Sequence, residues 1–157
     1  MEKISQIENF TVDTEKLLQE YNDFIVDKLQ DRINPYVKIV VQRKFHIILR
    51  GEVNEILNKM PYTKEIIERV SNHFSFKDVT YRVLHPCTSY RWHTDKGAEC
   101  MHIPLITNEG CLFVYEDVNY RMQPGKLYHV NNGVLHTFVN AGDEHRVHLM
   151  FENIDGI

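Results

Sequence analysis

The chain has 157 residues, 43% of them apolar and 25% charged, which suits one globular domain and excludes disordered, collagenous and coiled-coil classes. Lys and Arg total 18 against 22 acidic residues, a net charge of −4, so no basic footprint for nucleic acid stands out. No apolar run approaches the ~18 residues of a membrane span, and the start, MEKISQIENF, lacks an apolar leader core; a cytoplasmic protein is expected.

Two helices open the chain. Leu17, Leu18, Tyr21, Phe24, Ile25 and Leu29 recur at helical spacing, predicting a helix within 13–30 that Asp13 or Thr14 caps and Pro35 follows. Residues 36–49 are rich in Val, Ile and Phe and read as strand or extended chain. Helical spacing returns over 53–74 in Ile56, Leu57, Ile66, Ile67 and Val70, with Pro61 as the start of a new helix. After Phe76 the period changes. Short β-rich runs follow at 79–84, 100–106, 111–115, 126–130, 137–140 and 146–151, broken by turns such as Pro124-Gly125 and Asn131-Asn132-Gly133. The expectation is a mainly β domain with N-terminal helices: a helical layer over 1–76 and an antiparallel sandwich or barrel of at least six strands over 77–157.

Chemistry gathers in the β half. Of the 9 histidines, all but His46 and His73 lie after residue 80. The three cysteines, Cys87, Cys100 and Cys111, have no CxxC spacing and read as free thiols. Residues i and i+2 of an extended segment share a face, so His93 and Asp95 converge. His136, opening a strand after the Asn-Asn-Gly turn, is the candidate third ligand. Two histidines and one carboxylate on one side of a metal form the facial triad of non-haem Fe(II) oxygenases, with positions left open for a co-substrate and O2. Arg146, on the next strand, has the planar fork that matches a carboxylate deep in a barrel.

From Val79 onward the chain resembles the aspartyl/asparaginyl β-hydroxylase family. The resemblance rests on Trp92-His93-Thr94-Asp95, His102-Ile103-Pro104-Leu105, Gly125-Lys126-Leu127-Tyr128, His136-Thr137-Phe138-Val139-Asn140 and Arg146-Val147-His148-Leu149. It implies a double-stranded β-helix, the cupin-like jelly roll, and an Fe(II)- and 2-oxoglutarate-dependent dioxygenase. Such an enzyme hydroxylates an amino acid or a peptidyl Asp/Asn/Pro-type substrate and releases succinate and CO2. His93, Asp95 and His136 would be the iron ligands and catalytic set. Arg146 would hold the distal carboxylate of 2-oxoglutarate, and His102 would help bind the co-substrate or line the pocket. Where the family pattern has an Arg two residues before that histidine, this chain has Cys100.

Several residues carry a plainer alternative. His148 shares a face with Arg146 and lines the pocket or packs there; Trp92 and Arg91 touch substrate or simply pack and cover a loop. His85 and His145 read as structural or solvated, His129 as solvent-facing, and Asn140 equally as a turn residue or a binding residue. The partners expected are O2 and a small-molecule or peptide substrate, with no nucleic acid and no membrane. The rival from another class is a non-catalytic jelly-roll module that binds or senses a metal or small molecule. A cupin-like isomerase is disfavoured, because cupins present His-x-His where this chain has His-x-Asp.

Overall fold

Asp13 separates the first strand, β1 (Ile4–Thr11), from the first helix, α1 (Thr14–Phe24). Its carboxylate accepts from the Glu15 and Lys16 amides at 3.1 and 3.3 Å and caps the first turn. Leu17 and Tyr21 are the buried stripe of α1, which runs on into a 3₁₀ turn, Val26–Leu29. The computed structural model describes residues 3–29, 35–43, 55–95 and 99–153. Strand β2 (Tyr36–Arg43) follows Pro35. A 3₁₀ turn, Ile56–Lys59, stops at Met60, and Pro61 opens α2 (Pro61–Ser71) where its missing N–H costs nothing. The orphan amides of that first turn are met from outside the helix. Glu20 of α1 accepts from the Tyr62 amide at 2.9 Å and from the Thr63 amide and hydroxyl at 2.7 Å each.

Beyond Phe76 the described chain is β: β3 (Asp78–Leu84), β4 (Thr88–Ser89), β5 (Glu99–Ile106), β6 (Cys111–Tyr115), β7 (Asn119–Tyr120), β8 (Lys126–Asn131), β9 (His136–Asn140) and β10 (Arg146–Asn153). They form a six-stranded sheet, β1-β8-β5-β10-β3-β2, and a four-stranded sheet, β4-β9-β6-β7, all paired antiparallel. Alternation along β10 sets the layers. Val147, Leu149 and Phe151 pack with Ile103, Val79 and Tyr81 against the helices; Met150 packs on the opposite side with Phe113, Tyr115 and Phe138 of the small sheet. The large sheet is therefore covered on both faces.

Both predicted helices and the six predicted strands are present, with two short edge strands, β4 and β7, added. Residues 44–49 of the predicted extended segment, Gln30 and Val53 lie outside the described residues. The N-terminal half is not only helical: β1 and β2 form the two edges of the large sheet. β1 has no clean alternation because its register shifts between Gln6 and Thr11, with Asn9 at φ 60°. Ile4 consequently packs toward the small sheet and Phe10 toward the helices, although the two have the same parity. The three cysteines are free thiols, and among the described residues no helix is long and apolar enough to cross a membrane.

The Glu20 contact joins the two helices, beside the Tyr62 hydroxyl that accepts from the Asp13 amide at 2.7 Å and the Lys16 ammonium over the Tyr62 ring. Glu20→Ala should lower unfolding free energy by roughly 1–3 kcal/mol, the cost of leaving orphan amides unpaired. Urea titration checks this, and Glu20→Gln should recover part of the loss.

Candidate active site

Residues 88–95 run antiparallel to β9 and the turn before it. Thr88 and Ser89 pair with Asn140 and Val139. The Tyr90 amide then donates to the Phe138 carbonyl at 2.9 Å, His93 and His136 exchange both main-chain bonds at 2.9 Å, and the Asp95 amide donates to the Asn132 carbonyl at 2.8 Å. Residues opposed in this way project side chains to one face. The two imidazole centroids lie 4.4 Å apart, and Asp95 Oδ2 lies 3.4 Å from His93 Nε2. One ligand-type atom from each of His93, Asp95 and His136 falls within 4.8 Å of the other two, so the three could hold one metal ion.

The rings are oriented for that task. His93 Nδ1 lies 2.8 Å from the Arg91 carbonyl and His136 Nδ1 2.7 Å from the Val134 carbonyl. A carbonyl only accepts, so each Nδ1 carries the proton and each Nε2 keeps its lone pair. Metal-binding histidines are held in this way by a backbone carbonyl behind the ring. Desolvation is the largest influence on His136 and lowers its pKa, which favours the neutral ligand form.

Arg146 comes from the other sheet, since the chain crosses from β9 to β10 through residues 141–145. It is 2% exposed, with its guanidinium carbon 4.9 Å from the Phe138 ring centroid and 5.8 Å from that of Phe113. Tyr36 hydrogen-bonds to it. Its Nε and Nη2 are buried and have no hydrogen-bond partner among the described residues. These two nitrogens form the side-on fork that takes a carboxylate bidentately. Glu152, an acid on the same strand face, pairs instead with Arg82 and, at 3.4 Å, with Lys38. An unpaired buried cation is costly, so the fork fits an anionic ligand.

His102 and His148 meet behind this site, Nδ1 to Nδ1 at 3.0 Å. Cys100 Sγ lies 3.2 Å from His102 Nε2, and Asn132 Nδ2 donates to the same sulfur at 3.0 Å. Burial, reinforced by Arg146, drives both imidazole pKa values well below the ordinary range. His148 and Arg146 line one narrow cleft with Phe113, Tyr120 and Met122. Both ring nitrogens of His102 have protein partners, so its influence on that cleft passes through His148.

Trp92 and Arg91 are exposed, and Trp92 lies in an open groove with Val114, Glu116 and Leu135. Val114 alternates with the buried Phe113 and Tyr115, which places this groove on the outer side of β6. Asn140 is wholly buried and structural: its amide donates to the Leu84 and Glu144 carbonyls at 3.1 and 2.7 Å. His85 and His145 stack edge to face at 4.7 Å, and His129 lies 3.5 Å from Glu99. Sequence reasoning missed Tyr36, which also accepts from Arg82 at 3.5 Å, and Asn132. Neither carries a local signal; a strand-opening Tyr and a turn Asn are ordinary residues.

Two antiparallel sheets packed face to face, with a metal-capable His/Asp/His set and an anion-ready Arg between them, define a jelly roll of the double-stranded β-helix type. The chain belongs to the aspartyl/asparaginyl beta-hydroxylase family, whose profile matches residues 13–155. Two solved structures share the fold over nearly all of it. One is the viral collagen prolyl hydroxylase vCPH from Paramecium bursaria Chlorella virus-1, solved with 2-oxoglutarate. It is 12% identical, with a TM-score of 0.59 over 98% of this chain and 97% of that one. The other is an oxidoreductase of the 2OG-Fe(II) oxygenase family from Burkholderia pseudomallei. It is 14% identical, with a TM-score of 0.55 over 96% of this chain and 83% of that one. No curated protein matches the sequence.

Two measurements follow from this geometry. His102 and His148 stay neutral in the fold but titrate normally once unfolded, so as pH falls below about 6.5 the unfolded chain binds protons first. Stability should be full above that pH and decline below it by about 1.4 kcal/mol per pH unit for each ring. Urea unfolding between pH 7.5 and 5.5 checks the slope, which His148→Leu should reduce. Arg146→Met removes a buried charge with an unfilled fork; it should leave the ligand-free protein within about 1 kcal/mol of the parent or make it more stable, as followed by thermal unfolding.

Proposed function

We propose that this protein is an Fe(II)- and 2-oxoglutarate-dependent dioxygenase that hydroxylates an amino acid or a peptidyl Asp, Asn or Pro-type side chain, with release of succinate and CO2. The observation that carries the reading is the free Nε/Nη2 fork of the buried Arg146, set between the same two sheets as His93, Asp95 and His136. 2-Oxoglutarate has a carboxylate at one end for such a fork and a keto acid at the other for a metal. Family membership and the 2-oxoglutarate held by the viral prolyl hydroxylase support the assignment.

Iron and 2-oxoglutarate, when bound, supply the O2 activation and the oxidising power that no side chain here has. The protein's part is to bind, orient and keep dry. His93 and His136 would offer their Nε2 lone pairs and Asp95 an oxygen to hold the metal. Arg146 anchors the far carboxylate, with Tyr36 holding the guanidinium in place. Phe113 and Phe138 wall the arginine off from water, which strengthens its attraction for an anion. The exposed Asp95 and Arg91 mark the side from which substrate reaches the metal.

The test separates co-substrate from metal. Arg146→Ala should weaken 2-oxoglutarate binding by about a hundredfold or more, since removing one member of a buried charge pair costs about 3–5 kcal/mol. Metal content should survive that change, whereas His136→Ala should lose the metal first. Titration calorimetry and elemental analysis read the two effects, and succinate release under Fe(II) and ascorbate with amino acids or peptides reads turnover. Unchanged 2-oxoglutarate affinity in Arg146→Ala would defeat the assignment. Tight binding without succinate from any substrate would favour the binding module.

A further inference from the structure

Cys100, His102 and His148 form a buried chain that takes no part in the metal set. His102 and His148 are neutral and meet Nδ1 to Nδ1 at 3.0 Å, so one proton lies between them and one ring donates while the other accepts. That proton's owner determines what the outer nitrogens offer. With the proton on His102 Nδ1, His102 Nε2 is a bare acceptor facing Cys100, and His148 carries its proton on Nε2. With the proton on His148 Nδ1, His148 Nε2 is a bare lone pair.

The cysteine selects between these arrangements. Burial raises the thiol pKa, so the sulfur keeps its hydrogen. Asn132 donates to that sulfur at 3.0 Å and leaves the S–H available, and a bare His102 Nε2 at 3.2 Å is a far better acceptor for it than the sulfur is for an N–H. At the far end of the chain, the His148 ring lines the cleft beside Arg146, and its Nε2 has no partner among the described residues.

We propose that Cys100 sets the tautomers of the His102–His148 pair so that His148 presents an Nε2–H donor beside the Arg146 guanidinium, the two together receiving the carboxylate of 2-oxoglutarate. This rests on the dioxygenase reading. Cys100 is a positioning residue that acts through His102, and His148 makes the contact. A neutral donor suits the place: a second cation there would repel Arg146, and a bare nitrogen would repel the carboxylate.

The experiment has two readouts. Imidazole 15N spectra of the metal-free protein should show His148 protonated on Nε2 and His102 on Nδ1 in the parent and in Cys100→Ser, whose hydroxyl also donates. Cys100→Ala should give mixed tautomers while keeping a cooperative thermal transition. With Mn(II) as a redox-inert metal, Cys100→Ala should bind 2-oxoglutarate about tenfold more weakly, the worth of one hydrogen bond to a charged group, and Cys100→Ser should stay within about threefold. The opposite tautomer in the parent, or Cys100→Ala matching the parent in both readouts, overturns the relay. A parent with the expected tautomers that binds no 2-oxoglutarate overturns the dioxygenase reading and the carboxylate role together. 2-Oxoglutarate binding with the opposite tautomers overturns the relay alone.

Discussion

The six-stranded sheet has no dry face and wet face; it is buried on both. Every polar side chain on its inner side must therefore find a partner inside the protein or leave a group unpaired at a cost of a few kcal/mol. Nearly all of them find one. Arg82 takes Glu152, His102 takes His148 and Cys100, and Tyr36 reaches both arginines. Among the described residues Arg146 Nε and Nη2 find none, and neither does the Tyr81 hydroxyl on the helix-facing side. The proposed anchoring of a ligand carboxylate rests on that unmet guanidinium.

The same double burial divides the labour of the sheet. Odd positions of β10 build the apolar contact with the helices, and even positions carry Arg146 and His148 into the space between the sheets. The metal set comes from the opposite side, on β9 and the segment paired to it. The proposed metal ligands and the proposed anion anchor thus belong to different sheets, and their separation depends on how the sheets are tied together. Asn140 provides one such tie, since it belongs to the small sheet and donates to the Leu84 carbonyl of the large one. The reciprocal main-chain bonds between His93 and His136 provide another constraint, fixing these two residues to each other.

The site is also where the protein departs from what stability alone would select. Two neutral histidines, a buried thiol and an unpaired arginine occupy space that apolar side chains could fill more favourably. The helical layer shows the contrary pattern, with apolar stripes, an Asp N-cap, a Pro at the first position of α2 and a borrowed Glu20 cap. Local rules are obeyed in the helical layer and broken where His102, His148, Cys100 and Arg146 are buried between the sheets.

The sequence by itself determined the helical stripes, the strands after Phe76 and the pairing of His93 with Asp95, because each is a periodicity or spacing read along a few consecutive residues. It also singled out His136 and Arg146, through resemblance and through the place of each on a strand that follows a turn. Only the tertiary structure decided the rest. The face switch in β1 depends on a bulge defined by its partner strand. The His102–His148 contact joins residues 46 positions apart, and the Tyr36–Arg82 contact spans the same separation. Trp92, adjacent to a ligand in sequence, lies in an outer groove, while His148, far from one, lines the cleft with Arg146. Sequence spacing constrains the face a side chain takes along its own strand; which strands are brought opposite each other is settled by burying both faces of the sheet at once.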